Sequence, residues 1–188
     1  MYKNLDCSTH LNIELSFISY PFEDINFCSD ISSIHVIKSS SFWIKEITSW
    51  IKYIQSNEQL KCPALVRSAS KISLGLELTN DNKIADLNHC WLGKSKSTDV
   101  LSFPIIDETF FSHSVECIEL GDIVISVPTA KRQAKENNVG LVRELRWLVT
   151  HGLLHLLGWD HCDQESLSQM LITQDHLLDM ALFSKVNK

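Results

Sequence analysis

The stretch HGLLHLLGWDH, residues 151–161, holds three of the chain's eight histidines among leucines, two glycines, a tryptophan and an aspartate. On an α-helix His151 and His155 stand about 400° apart, so both rings leave the same face one turn from each other. They can share one cation. On a continuous helix His161 would lie about 15 Å beyond His151 and about 280° round the axis, whereas ligand nitrogens sit only about 2.0 to 2.1 Å from a zinc ion. The helix must therefore stop and the chain turn back. Gly158 permits this, because helices commonly end in a left-handed conformation that glycine adopts without steric cost. Burying three neutral imidazoles without partners costs on the order of 1 to 3 kcal/mol each, and a shared cation satisfies all three at once.

Three neutral histidines with no carboxylate or thiolate among them leave the charge of a Zn²⁺ ion uncancelled and a fourth position open, the arrangement of catalytic zinc. One ion per chain is expected, on His151, His155 and His161; imidazole also suits nickel, copper and iron. The spacing is similar to that of the metzincin proteases, HExxHxxGxxH, but Gly152 stands where their general-base glutamate falls, so peptide hydrolysis is not expected. Asp160 reads equally as an outer partner that holds a ring in the correct tautomer and as a turn former. Cys162 follows a ligand directly and points away from the site its neighbour occupies. His10, His35, His89, His113 and His176 read as surface or hydrogen-bonded core residues.

Around this motif the hydrophobic pattern predicts an α+β fold, a mixed β-sheet covered by helices. LNIELSF (11–17) and KISLGLELT (71–79) alternate as strands with one buried face. Between them Trp43, Ile44, Ile47, Trp50, Ile51 and Ile54 recur at helical intervals over 41–55. Thr79 or Asn80 caps a following helix with Ile84, Leu87 and Trp91 on its inner face, closed by Gly93. TDVLSFP and IELGDIVIS are short strands joined by a connection over 104–118, long enough to be functional. Pro128 opens a helix that runs to about Asn138, Gly140 separates it from the histidine helix, and a last helix over 164–183 carries Leu167, Met170, Leu171, Leu177, Leu178 and Ala181. No repeat or linker divides the chain, so residues 1–188 are expected to form one domain.

The formal charge of −6 argues against indiscriminate binding to nucleic acid, DNA included, because such affinity comes from neutralising phosphates. It leaves room for a local basic groove, for which Lys94, Lys96 and Arg132 are the candidates. No apolar run approaches the roughly 18 residues that span a bilayer, so no membrane association is expected. The first residues lack the basic, apolar and small-residue order of a secretory signal, and the six cysteines form no CxxC pair. Reduced thiols and a cytoplasmic location are the expectation.

HGLLHLLGWDH together with the upstream blocks STDVLSF and GDIVIS resembles the YbeY family of metal-dependent bacterial endoribonucleases, over roughly residues 76–180. The resemblance implies a zincin-like α+β fold and a zinc ion on His151, His155 and His161. It further implies action on single-stranded RNA in ribosomal RNA maturation, 16S 3′-end processing included, with ribosomal RNA and the small ribosomal subunit as partners. Where the family usually carries an arginine after the aromatic residue, this chain has Leu92. An arginine there would clamp a phosphate, so its absence raises a second reading, a metal- and RNA-binding assembly factor that cleaves weakly or not at all. Apart from water activated by the cation, no catalytic group is identified.

Overall fold

The computed structural model describes residues 10–20, 35–106 and 116–183, the side chains of 181–183 excepted. Part of the 104–118 connection, together with Cys7, Cys28, His113 and the side chain of Ala181, lies outside the described residues. Among the described residues four strands, β1 (Asn12–Ser19), β2 (Lys71–Thr79), β3 (Val100–Pro104) and β4 (Ile118–Ser126), form one sheet in the order β1-β2-β4-β3. β1, β2 and β4 are parallel, and β3 is antiparallel to β4 and forms an edge. The helices are α1 (Ser40–Ser56), α2 (Ala64–Ser68), α3 (Asp81–Leu92), α4 (Val127–Glu136), α5 (Leu141–Leu156) and α6 (Gln164–Phe183). The five-residue α2 has too few turns to show a hydrophobic period, which is why the sequence pattern does not reveal it.

Alternation along the strands decides which face is covered. Ile72, Leu74, Leu76 and Leu78 of β2 meet Ile123 and Ile125 of β4 on the side where α1, α5 and α6 pack, with Trp43, Trp50, Leu148, Leu153 and Leu154 in the same core. In β4 the alternation changes phase at a bulge: Ser73 pairs with Glu119 but Gly75 with Asp122. Gly121 absorbs the extra residue at φ +116, and a Cβ there would lie 2.0 Å from the Phe103 carbonyl oxygen. On the opposite face α3 sets Ile84 and Leu87 against Leu101, Phe103 and Val124.

Two expected core residues are instead exposed. Trp91 is 68% exposed because the last turn of α3 buries Asn88, whose side-chain amide donates to the Lys96 carbonyl at 2.7 Å; the indole lies beside Phe103, 5.6 Å between ring centroids. Leu171 faces outward, since the inner stripe of α6 runs through Met170, Thr173, Gln174, Leu177 and Leu178.

The three helices over the main core are joined by a buried ion pair. Arg146 of α5 donates through Nε to Glu46 Oε2 of α1 at 2.7 Å and through Nη2 to the Leu178 carbonyl of α6 at 3.0 Å. Its guanidinium lies 6.0 Å from the Trp50 ring, and Trp50 Nε1 donates to the Leu177 carbonyl at 2.9 Å. Only 10% of either charged side chain is exposed, so removing one partner strands the other in low dielectric. Glu46→Ala is expected to lower the unfolding free energy by about 3 to 5 kcal/mol, and Glu46→Gln, which keeps an acceptor, by clearly less; urea unfolding followed by tryptophan fluorescence measures both.

Candidate metal centre

α5 delivers His151 and His155 from the middle of the fold, and the chain reverses immediately afterwards. Gly158 has φ +80, its N–H donates to the His155 carbonyl at 2.9 Å, and the Trp159 N–H donates to the Leu154 carbonyl at 3.0 Å. This paired closure is a Schellman motif. The corner is pinned from outside: Lys61 Nζ donates to the Gly158 carbonyl, and Trp159 Nε1 donates to the Lys61 carbonyl at 2.9 Å. His161 is thereby carried back over the helix. One ring nitrogen from each of His151, His155 and His161 lies within 4.8 Å of the other two, and the ring of His161 stands 5.2 Å from that of His155 and 5.7 Å from that of His151.

Hydrogen bonding decides which nitrogens point inward. His155 Nδ1 lies 2.9 Å from the Trp159 carbonyl oxygen, which can only accept, so Nδ1 carries the proton. His151 Nδ1 lies 3.2 Å from Gln174 Oε1. The orientation of that amide is set by its other end, where Nε2 donates to the Trp147 carbonyl at 2.9 Å. Both Nε2 atoms are therefore unprotonated in the neutral rings, yet they face each other at 3.1 Å. Two lone pairs at that distance repel unless a cation lies between them, and tetrahedral zinc geometry places neighbouring nitrogens about 3.3 Å apart. Trp147 stacks on His151 at 5.4 Å with planes 7° apart. The donor set fits a borderline-soft divalent ion with an open position.

Asp160 does not hold a ring. Its Oδ1 accepts from the His161 N–H at 2.8 Å and its Oδ2 from the Cys162 thiol at 2.9 Å, so the carboxylate shapes the turn, and Gln174 and the Trp159 carbonyl hold the tautomers in its place. Gln174 carried a legible signal, a polar residue on the buried stripe of an amphipathic helix. The Trp159 carbonyl carried none, because main-chain acceptors have no sequence signature. Cys162 is exposed and turned to Asp160.

A cavity of about 610 Å³ opens over the histidines, lined also by Leu92, Asp99, Val100, Leu101, Ser102, Pro104, Gly158, Trp159 and Asp160. Asp99 was not singled out from the sequence, although it stands in the STDVLSF block. Burial would raise its carboxyl, but hydrogen bonds from Gln133, the Val100 N–H and Thr98 outweigh that and hold it below the ordinary carboxylate value. Leu92 is 58% exposed at the rim. Lys94 and Lys96 are exposed in the following loop and do not line the cavity. Arg132 does not line the cavity; its guanidinium, more than half exposed, pairs with Asp81 Oδ2 at 2.9 Å and donates to Thr129 Oγ1 at 2.6 Å.

Gly152 sets how closely the helix approaches the sheet. A Cβ there would lie 2.8 Å from Ile123 Cγ2 and 3.1 Å from Ser102 Oγ, so no side chain fits, least of all the glutamate a metzincin places at this point.

An α+β sandwich with a zincin-like histidine helix and an open cavity beside an edge strand defines a class of metal-dependent hydrolases. The family model described as Endoribonuclease YbeY matches residues 32–181, so the likeness reaches well upstream of residue 76, through α1. The chain is 61% identical to the Endoribonuclease YbeY of Prochlorococcus marinus (strain NATL2A), over 96% of this chain and 98% of that protein. It is 45% identical to that of P. marinus (strain MIT 9313), over 90% and 92%. The chain belongs to the YbeY endoribonuclease family. The solution structure of TM1509 from Thermotoga maritima shares the fold, with a TM-score of 0.53 at 20% identity over 88% of this chain and 87% of that one.

Burial, opposed by the Gln174 hydrogen bond in one ring and the Trp159 carbonyl in the other, pushes His151 and His155 below the ordinary value of 6.5. As pH falls from neutrality, the unfolded chain takes up these protons before the folded one does. The metal-free protein is therefore expected to be fully stable, as far as these rings contribute, above a pH of about 6.5 and to lose stability progressively below it. Thermal melts of chelated protein across that range measure the fall, and His151→Ala is expected to flatten it.

Proposed function

We propose that the chain is a zinc-dependent endoribonuclease that cleaves single-stranded ribosomal RNA during maturation of the small ribosomal subunit, in the cytoplasm, with residues 1–188 acting as one domain. Endoribonuclease activity follows from family membership; the metal, the substrate and the compartment are our reading. The observation that carries it is the pair of unprotonated Nε2 atoms at 3.1 Å on the floor of an open cavity, with His161 turned toward them. His151, His155 and His161 are assigned as the ligands of one ion, which when bound supplies Lewis acidity toward a phosphodiester and its attacking water.

The remaining work falls to the chain. Gln174 and the Trp159 carbonyl keep Nδ1 protonated and Nε2 inward on two of the rings. Trp147, stacked on His151, shields one side from water. Asp99 fixes the start of β3 at the cavity wall through its bonds to Val100 and Gln133. Lys94 and Lys96 lie on the loop beyond Leu92 and offer point charges to flanking phosphates, without the planar fork of an arginine. Among the described residues no helix is long and apolar enough to cross a membrane.

His155→Ala is expected to release the ion and reduce cleavage of a labelled single-stranded RNA oligonucleotide by at least about a hundredfold. Elemental analysis run beside the cleavage assay reads both, and full activity in the metal-free variant refutes the assignment. Leu92 carries the alternative of a weakly cleaving assembly factor, since an apolar side chain occupies the cavity rim where the resemblance places an arginine. Leu92→Arg meets open space there and is expected to raise kcat/KM by about tenfold or more, as a charge-assisted bond to phosphate should. A rise of several orders of magnitude from a barely active wild type would favour the alternative.

A further inference from the structure

Among the described residues β3 is the antiparallel edge of the sheet, and the phase of its ladder tells which of its main-chain groups are left over. The Ser126 N–H donates to the Asp99 carbonyl at 2.8 Å, and the Ile105 N–H donates to the Leu120 carbonyl at 3.2 Å. Hydrogen-bonded pairs in an antiparallel ladder recur every second residue, so Asp99, Leu101, Phe103 and Ile105 turn their main-chain groups toward β4. Val100, Ser102 and Pro104 turn theirs toward the open edge. That edge borders the histidine cavity, whose wall includes all three residues.

The three outward positions differ. The Val100 N–H is taken by Asp99 Oδ1 at 2.8 Å. Pro104 has no N–H to offer. Of these three, Ser102 is the one whose main-chain N–H has no hydrogen bond among the described residues, and its hydroxyl lies on the same side as α5, 3.1 Å from the point where a Cβ on Gly152 would sit. Among the described residues no hydrogen bond reaches that hydroxyl. One amide and one hydroxyl thus sit at the cavity wall above the helix segment that bears His151 and His155.

An extended peptide added to a sheet edge needs donors at alternate positions, and here the residues on both sides of Ser102 withhold theirs. A single anionic oxygen needs only one donor or two. We propose that Ser102 is a substrate-binding residue whose main-chain N–H, assisted by its hydroxyl, holds a non-bridging phosphate oxygen of the RNA strand beside the metal centre. This rests on the endoribonuclease reading above, and it names a contact carrying no formal charge, suited to a cavity whose rim bears Leu92 in place of a cation.

Proline at an outward edge position deletes the amide proton while leaving the ladder intact, and Pro104 already occupies the equivalent place two residues on. Affinity of Ser102→Pro and Ser102→Ala for a fluorescent single-stranded RNA is measured by anisotropy, with kcat, KM, bound zinc and melting temperature recorded for each. The expected result is about tenfold weaker binding for Ser102→Pro and about threefold weaker for Ser102→Ala, carried mainly in KM, with zinc content unchanged. RNA bearing methylphosphonates in place of the central phosphates is expected to bind wild type less well and to show a much smaller penalty against Ser102→Pro, because both changes remove the same interaction.

Equal methylphosphonate penalties in wild type and Ser102→Pro would overturn the proposal. So would wild-type affinity in the proline variant, or an extended peptide probe that binds this edge and is displaced by the substitution. If Ser102→Pro does not fold, the amide-to-ester analogue of Ser102, with the hydroxyl kept, takes its place. Anisotropy does not depend on turnover, so a wild type that binds but fails to cleave counts against the nuclease reading and leaves the Ser102 comparison intact.

Discussion

The site depends on two imidazole Nε2 atoms held 3.1 Å apart with their lone pairs turned toward each other. The hold comes from behind each ring. A glutamine amide on α6 and a carbonyl just past the helix end accept the Nδ1 protons, so neither ring can turn its donor inward to relieve the repulsion. Two acceptor nitrogens fixed in this way are preorganised for a cation, because their orientation is set by the fold before any ion binds. Burial adds to this, since it favours the neutral rings that ligation requires.

Holding those acceptors in place depends on packing remote from the cavity. Gln174 reaches His151 because α6 lies against α5, an arrangement joined by Arg146, Glu46 and the carbonyls of Leu177 and Leu178. The Trp159 carbonyl reaches His155 because the Gly158 corner is pinned by Lys61 and by the indole of Trp159 itself. The close seating of Gly152 on Ile123 then fixes how near the edge strand comes to the metal ligands. The same contact that draws Ser102 toward the cavity leaves no volume for a glutamate on the helix. A zincin-like frame is in this way committed to chemistry other than that of the peptidases it resembles.

Among the described residues no lysine or arginine lines the cavity, whereas two carboxylates, Asp99 and Asp160, do. Asp99 spends both oxygens on neighbours, Arg132 is paired with Asp81, and Leu92 occupies the rim. In the function proposed above, recognition of a polyanion leans on the cation, on main-chain and hydroxyl donors, and on lysines outside the cavity wall.

Sequence alone pointed to every strand, to all the helices but the five-residue α2 among the described elements, and to the three clustered histidines. Alternation placed β1 and β2 to within two residues, and the 151–161 spacing called for a helix, a corner at Gly158 and three converging nitrogens, because on a continuous helix they could not meet. It did not determine which groups stand behind the ligands. Asp160 is adjacent in the chain and was the natural candidate, but Gln174, 23 residues away, does that work for His151, and a main-chain carbonyl does it for His155. Nor could periodicity foresee Trp91 on the surface and Asn88 inside, since both lie within one turn and only the position of α3 over the sheet chooses between them. Local rules of pitch and steric allowance are written along the chain, whereas hydrogen-bond partners and free strand edges arise only when separate elements are packed side by side.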